Sequence, residues 1–171
     1  MRLVRIIAVA GFYLSRVVSV LYLATALFVL CSVVLKLPTY KVLDNDRFAI
    51  YYPFTTKNFL LGSYNTAIYI IEMITILLVY GIFFWLLGNV FKTFRQQRLF
   101  TAEGVKHLQQ FFMINLFLYP VLFFILSFYS IEDYPYVPMI IAHIIIGIFA
   151  KFLAAIFEQG LKLQTDQDLY I

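Results

Sequence analysis

Four long apolar stretches, at 17–35, 66–91, 108–130 and 137–157, occupy most of the 171-residue chain. Each meets the ~17–25 residues that a helix needs to cross the hydrocarbon core of a bilayer. With 63% hydrophobic and only 13% charged residues, a water-soluble domain of this length could not hide so much apolar surface. The expected fold class is all-α: a polytopic membrane protein, a four-transmembrane-helix bundle with a small extracytoplasmic loop cap. The length holds one membrane domain over 1–171, with an outer loop at 36–65, a cytoplasmic loop at 92–107 and a cytoplasmic tail at 158–171, and leaves no room for a separate soluble domain.

Lys and Arg set the orientation. Arg2, Arg5, Arg16, Lys92, Arg95, Arg98, Lys106, Lys151 and Lys162 put nine basic residues on one side, against four on the other (Lys36, Lys41, Arg47 and Lys57). Both termini are therefore expected in the cytoplasm. The net charge of +4 reflects this asymmetry and argues poorly for direct nucleic-acid binding. Tyr40, Tyr51, Tyr52, Tyr64, Tyr129, Tyr134 and Tyr136 cluster near span ends on the opposite, outer side, where amphipathic rings suit the headgroup belt. Arg2 and Arg5 ahead of an apolar run resemble a signal peptide. The run is too long and lacks a small-x-small site, so an uncleaved anchor is expected. One cysteine, Cys31, allows no intramolecular disulfide and no cysteine metal cluster, and reads as an inert apolar residue.

The outer loop is punctuated by Pro38, Asp44-Asn45-Asp46 and Pro53, between aromatic and aliphatic flanks. A hairpin turning at 44–46 follows. The two carboxylates lack the later ligands of a calcium loop, so a plain turn is preferred. At the cytoplasmic loop, Thr101 stands where an N-cap belongs and Glu103 falls in the first turn, so helix three is expected to start near Ala102 and run to about Ser130. Pro120 should kink it. Gly160 is expected to end helix four.

An ionisable side chain at the bilayer centre costs roughly 2.5–3.5 kcal/mol, so each one calls for an explanation. Glu72 and His143 each lie six residues into their spans, at a matched depth roughly 9 Å below the outer boundary. They would meet if helices two and four are neighbours. Asn115 and Lys151 form a second possible pair near the inner side, although Lys151 can instead extend its ammonium to the headgroups, the preferred reading. Paired Glu72 and His143 would suit either a proton or cation relay or a buried clamp that fixes helix pairing; the clamp is preferred. Gly147, Ala150 and Ala154 give span four a small-residue face for close packing. Nucleophile elbows, zinc motifs, phosphate loops and histidine clusters are lacking, so no enzyme activity, metal or cofactor is expected.

Two cytoplasmic segments, Leu99-Phe100-Thr101-Ala102-Glu103-Gly104-Val105-Lys106-His107-Leu108 and the tail from Ile156 to Leu169, carry a family likeness. Together with four spans and a long first loop, they make the chain resemble the bacterial membrane proteins of domain-of-unknown-function family 2975. That family has a Phe-Ser/Thr step into span three and a tail of the form Phe-x-x-Gly-x-x-Leu-x-x-Glu-x-Asp-Leu. Phe157, Gly160, Leu163, Asp168 and Leu169 fit it, Asp166 replaces the Glu, Tyr170 stands where Thr is common, and Gln97-Arg98 precedes Leu99 where Gly is frequent. The resemblance is close over the second half and architectural over the first. It implies a location in the bacterial inner membrane and, as a partner, a small cytoplasmic helix-turn-helix transcription regulator. Arg95, Arg98 and Lys106 would lie near Glu158, Asp166 and Asp168, with the tail folded back so that Leu161, Leu163, Leu169 and Ile171 cover apolar surface. Such a face suits partner docking, or a tail that merely seals the bundle. The expected function is a non-enzymatic regulatory or interaction protein, the alternative a small transporter or ion-conducting protein using Glu72 and His143.

Overall fold

The computed structural model describes residues 2–96 and 98–168. Gln97 and the tail positions Leu169, Tyr170 and Ile171 lie outside the described residues, as does the side chain of Asp168. The element order is α1 (Arg2–Val34), β1 (Tyr40–Val42), β2 (Phe48–Tyr51), β3 (Asn58–Gly62), α2 (Ala67–Arg95), α3 (Ala102–Met113), a π-helical turn (Ile114–Leu118), α4 (Tyr119–Tyr129) and α5 (Tyr136–Asp168). Four continuous helical rods, Leu3–Val34, Ala67–Arg95, Ala102–Tyr129 and Tyr136–Gln167, are long and apolar enough to cross a membrane. They run up and down in turn, so the sheet sits at one end and the first and last helical turns at the other, here called the basal end.

The starts of the helices follow from local chemistry. Thr66 caps α2, its hydroxyl accepting from the Tyr69 N–H at 3.4 Å. Thr101 caps α3 as the spacing predicts, accepting from the Gly104 N–H at 3.1 Å with Glu103 in the first turn. Lys92 and Arg95 close the last turn of α2, where the helix dipole favours cations.

Gly160 does not end the last helix. Helix α5 runs through it to Asp168, because a glycine inside a run of good helix formers costs only about 1 kcal/mol. As far as Asp168 the tail therefore continues along the α5 axis.

The loop at 36–65 holds more structure than a hairpin. Strands β1, β2 and β3 form an antiparallel sheet in that order, Val42 opposite Phe48 and Phe48 opposite Gly62. The turn falls at 44–46, closed by the Leu43 N–H on the Arg47 carbonyl at 2.7 Å. Asn45 and Asp46 adopt φ of 60° and 56°, left-handed values that Asn and Asp tolerate best among residues with a Cβ. The ring of Phe48 lies over Gly62 in the space that a Cβ would take. Phe48, Ala49 and Ile50 are fully buried, and Phe48 and Ile50 pack with Val29, Tyr69 and Ile70 so that the sheet caps the ends of α1 and α2.

The four rods are two hairpins. Helix α1 packs chiefly on α2, and the rod α3–π turn–α4 packs chiefly on α5, with a lighter seam between α2 and the α3–α4 rod. The first hairpin is zipped by small residues: Ala8, Ser15, Ser19 and Ala26 are buried along α1, and the Ser19 hydroxyl donates to the Gly81 carbonyl at 2.7 Å. The second is drawn tight by Gly147, Ala150 and Ala154, the small-residue face read from the sequence; the two alanines are buried.

Pro120 does not produce a bare kink. It sits in the first turn of α4, directly after the π turn, in which the Tyr119 N–H reaches back five residues to the Ile114 carbonyl. The wider turn absorbs the donor that proline lacks. It also brings the rod's backbone against α5: a Cβ on Gly147 would stand 2.8 Å from the Leu116 nitrogen. Glycine is required there by the close approach.

Candidate functional site

The four intramembrane polar residues of the sequence reading do not form the two possible pairs considered there. Glu72 and His143 do not pair. The Glu72 carboxylate, 2% exposed, accepts at Oε1 from the hydroxyl of Tyr136, at the first residue of α5. His143 lies seven residues further along the same helix, roughly 10 Å deeper. Counting residues from assumed span ends put Glu72 and His143 level. It could not show that a tyrosine at the head of α5 reaches Glu72 first, nor that the rings of Tyr80 and Phe83 stand between α2 and His143.

His143 instead bonds Asn115. Its Nδ1 lies 2.8 Å from Asn115 Oδ1, while Asn115 Nδ2 donates to the Phe111 carbonyl at 2.8 Å. That second bond turns the amide oxygen toward the ring, so Nδ1 is the donor. Asn115 is fully buried and occupies the π turn, and the imidazole is boxed by Tyr119, Phe83 and Phe123 with ring centroids at 4.9, 5.5 and 5.5 Å. The Tyr119 hydroxyl continues across the seam to the Val79 carbonyl at 3.1 Å. Asn115 and Lys151 likewise do not pair. Lys151 is exposed on the outside of the bundle, with Nζ 5.1 Å from the Phe112 ring centroid. The alternative contact with Asn115 does not form, since the Asn115 amide is taken by the Phe111 carbonyl and His143.

Each polar group in this layer thus crosses between elements: Tyr136 to Glu72 and Tyr119 to Val79 join the two hairpins, and His143 to Asn115 joins α5 to the π turn. Such bonds fix which helix faces which.

At the basal end, the two segments that carried the family likeness meet. Phe100 packs edge-on to Phe157, as does Phe94, at centroid distances of 5.3 Å in both pairs. Phe100 also fills the notch left by Gly160, where a Cβ would come within 2.6 Å of its ring. Leu161 packs on the same cluster, together with Val105, Leu108 and Ala154. The Phe-x-x-Gly portion of the tail is therefore a socket for the aromatic residue that precedes α3.

The charged residues expected to join across this face do not do so where their side chains are described. Among the described residues no ion pair links Arg95, Arg98 or Lys106 with Glu158 or Asp166. Arg95 turns toward α1, its guanidinium 4.7 Å from the Phe12 ring centroid. Arg98, Lys106, Glu158 and Asp166 are exposed, and so is Leu163. Asp166 lies on the continuation of α5 beyond Gly160, and Glu158 is exposed beside the buried Phe157. Asp168, with Leu169 and Ile171, lies outside the described side chains. Around Glu158, Lys162, Thr165 and Asp166 the projecting helix presents an open groove.

Sequence reasoning missed two features. Glu103 gathers Lys92 Nζ at 2.7 Å, Gln96 Nε2 at 3.3 Å and His107 Nε2 at 3.3 Å, pinning the loop between α2 and α3. The i,i+4 spacing of Glu103 and His107 was a usable signal. Arg16 served only as a topology marker, yet it lies inside α1, with its guanidinium carbon 3.6 Å from the Trp85 ring centroid and Nη2 on Asn89 Oδ1 at 2.5 Å. On the sheet, Tyr40 donates to the Asn65 side chain, and burial raises its pKa.

Four apolar spanning helices define a multi-pass integral membrane protein. Within that class the chain belongs to the family described as Protein of unknown function (DUF2975), whose signature covers residues 4–171. The match takes in the first half of the chain as well as the two basal segments. No curated protein and no solved structure matches this chain.

Proposed function

We propose that this protein is a non-enzymatic regulatory or interaction protein of the bacterial inner membrane, with both termini in the cytoplasm. It would present its basal surface to a soluble partner, which the family likeness suggests is a small helix-turn-helix transcription regulator. One observation supports this reading: exposed charges sit at the basal end on a packed aromatic base. Helix α5 has 33 residues, about 50 Å of helix against a hydrocarbon core of about 30 Å, so its last turns stand clear of the bilayer. Their base is locked by Phe100, Phe157 and Gly160, while Arg98, Lys106, Glu158 and Asp166 face outward without ion-pair partners among the described residues. Ions held at fixed positions on a firm surface favour selective recognition and a fast on-rate. The sealing contact and the docking surface lie on the same helix, Gly160 toward the bundle and Glu158, Lys162 and Asp166 toward solvent.

This reading is favoured over a transporter because Glu72 and His143 each serve as an inter-element bond and are not coupled to one another. The test is affinity purification in mild detergent from the native host. The wild type should bring down a small soluble DNA-binding protein that Arg98→Glu with Asp166→Lys loses, while Glu72→Gln retains it. Recovery of the same partner from the charge-reversed protein, or no soluble partner from a well-folded wild type, rejects the reading.

A further inference from the structure

Between α2 and α4, near the sheet end, lies a cavity of about 190 Å³ that opens sideways from the helix surface. Its walls are Ile68, Ile71, Leu126 and Tyr129, and Glu72 stands at its back. Ile68, Ile71 and Tyr129 are 50%, 62% and 64% exposed on the bundle's outer face, so the mouth opens toward lipid. Glu72 is buried, and its two oxygens differ. Oε1 takes the Tyr136 hydroxyl, while Oε2 is buried and has no hydrogen-bond partner among the described residues.

The bond to Tyr136 needs only an acceptor, which a glutamine would supply at less desolvation cost. A carboxylate is therefore more than the helix clamp requires. An acceptor left without a donor in an apolar wall is costly, and none of the residues lining this cavity is basic. The ligand class that answers both facts is a cationic hydrogen-bond donor carried on an apolar chain. A cavity of roughly 150 Å³ is enough to hold benzene, so this one accommodates an amine head with its first few carbons, the rest of the chain lying along the lipid-facing groove.

We propose that this lateral cavity is a binding site for a lipophilic amine, whose ammonium parts the apolar side chains covering Glu72 Oε2 and donates to it, while its alkyl chain runs between Ile68 and Leu126. The site stands on the cavity and the unpaired oxygen, and is independent of any partner at the basal surface.

The experiment uses the full chain in phosphatidylcholine vesicles, with a photoreactive dodecylamine bearing a diazirine near its head and the matching dodecanol as the neutral probe. The amine should label peptides containing Ile68–Glu72 and Leu126–Tyr129 at least tenfold more than the alcohol does. Glu72→Gln should reduce amine labelling to the alcohol's level. Leu126→Trp, which fills the cavity and leaves the carboxylate in place, should do the same. Each variant is scored alongside its helical circular dichroism and gel-filtration profile. Should Glu72→Gln fail to fold, the comparison of amine with alcohol and the Leu126→Trp protein decide alone. Equal labelling by the two probes, undiminished labelling of a folded variant, or labelling confined to other surfaces overturns the site.

Discussion

Asn115 shows how one side chain sets a local arrangement. It spends its amide N–H on the Phe111 carbonyl and its oxygen on His143, inside the π turn, at a point with no access to water. Removing one partner from such a bond leaves a buried donor unsatisfied, at about 1–3 kcal/mol, whereas replacing both with apolar groups of similar shape is nearly neutral. Asn115→Leu should therefore lower stability by about that amount, and adding His143→Phe should restore most of it. Thermal unfolding in a fixed detergent reads the cycle. If the double variant is as unstable as the sum of the single ones, His143 has a role beyond this bond. Gly147 belongs to the same locus, since the close approach that fixes Asn115 beside His143 needs a residue without a Cβ.

Among the elements, α5 carries the most information. It opens with Tyr136 bonded to Glu72, crosses the π turn at Gly147, packs Ala150 and Ala154 against α3, and seats Phe100 at Gly160 before leaving the bundle. By helix propensity alone, Gly160→Ala should stabilise an exposed helix by about 1 kcal/mol. In this fold the new methyl enters the space of the Phe100 ring, so the sign should reverse, with a cost of about 1–3 kcal/mol. In a Phe100→Leu background the same change should be neutral or favourable. The comparison is made by unfolding midpoints of the four proteins. Gain of stability from Gly160→Ala with Phe100 in place would show that the socket has no energetic weight.

At the scale of the molecule, the two hairpins are tight within themselves and lighter between. The seam is filled by aromatic rings and crossed by the hydrogen bonds of Tyr136 and Tyr119. Tyr119→Phe with Tyr136→Phe keeps the rings and removes both bonds, at about 1–3 kcal/mol for each buried acceptor left bare. Amide hydrogen exchange should then speed up in α4 and the first turns of α5, while the amides of α1 beside α2 keep their protection. A uniform rise across all four rods would mean that the hairpins open as one unit. The lateral cavity lies where α4 and α2 part, at the sheet end of this same seam.

The sequence by itself determined the class of fold, because apolar runs of spanning length have a single stable solution in lipid, a helix that satisfies its own backbone. It also determined the start of α3 at Thr101, the turn at 44–46 and the small-residue face of α5, since each rests on chemistry within a few neighbouring residues. It marked Glu72, His143 and Asn115 as residues with a cost to explain. Only the tertiary structure decided their partners. Depth along a helix can be counted, but rotation about its axis and the reach of a tyrosine from the next helix cannot. The passage of α5 through Gly160 belongs to the same class: a glycine ends a helix or continues it according to what packs against it, and here a phenylalanine from sixty residues earlier occupies the space.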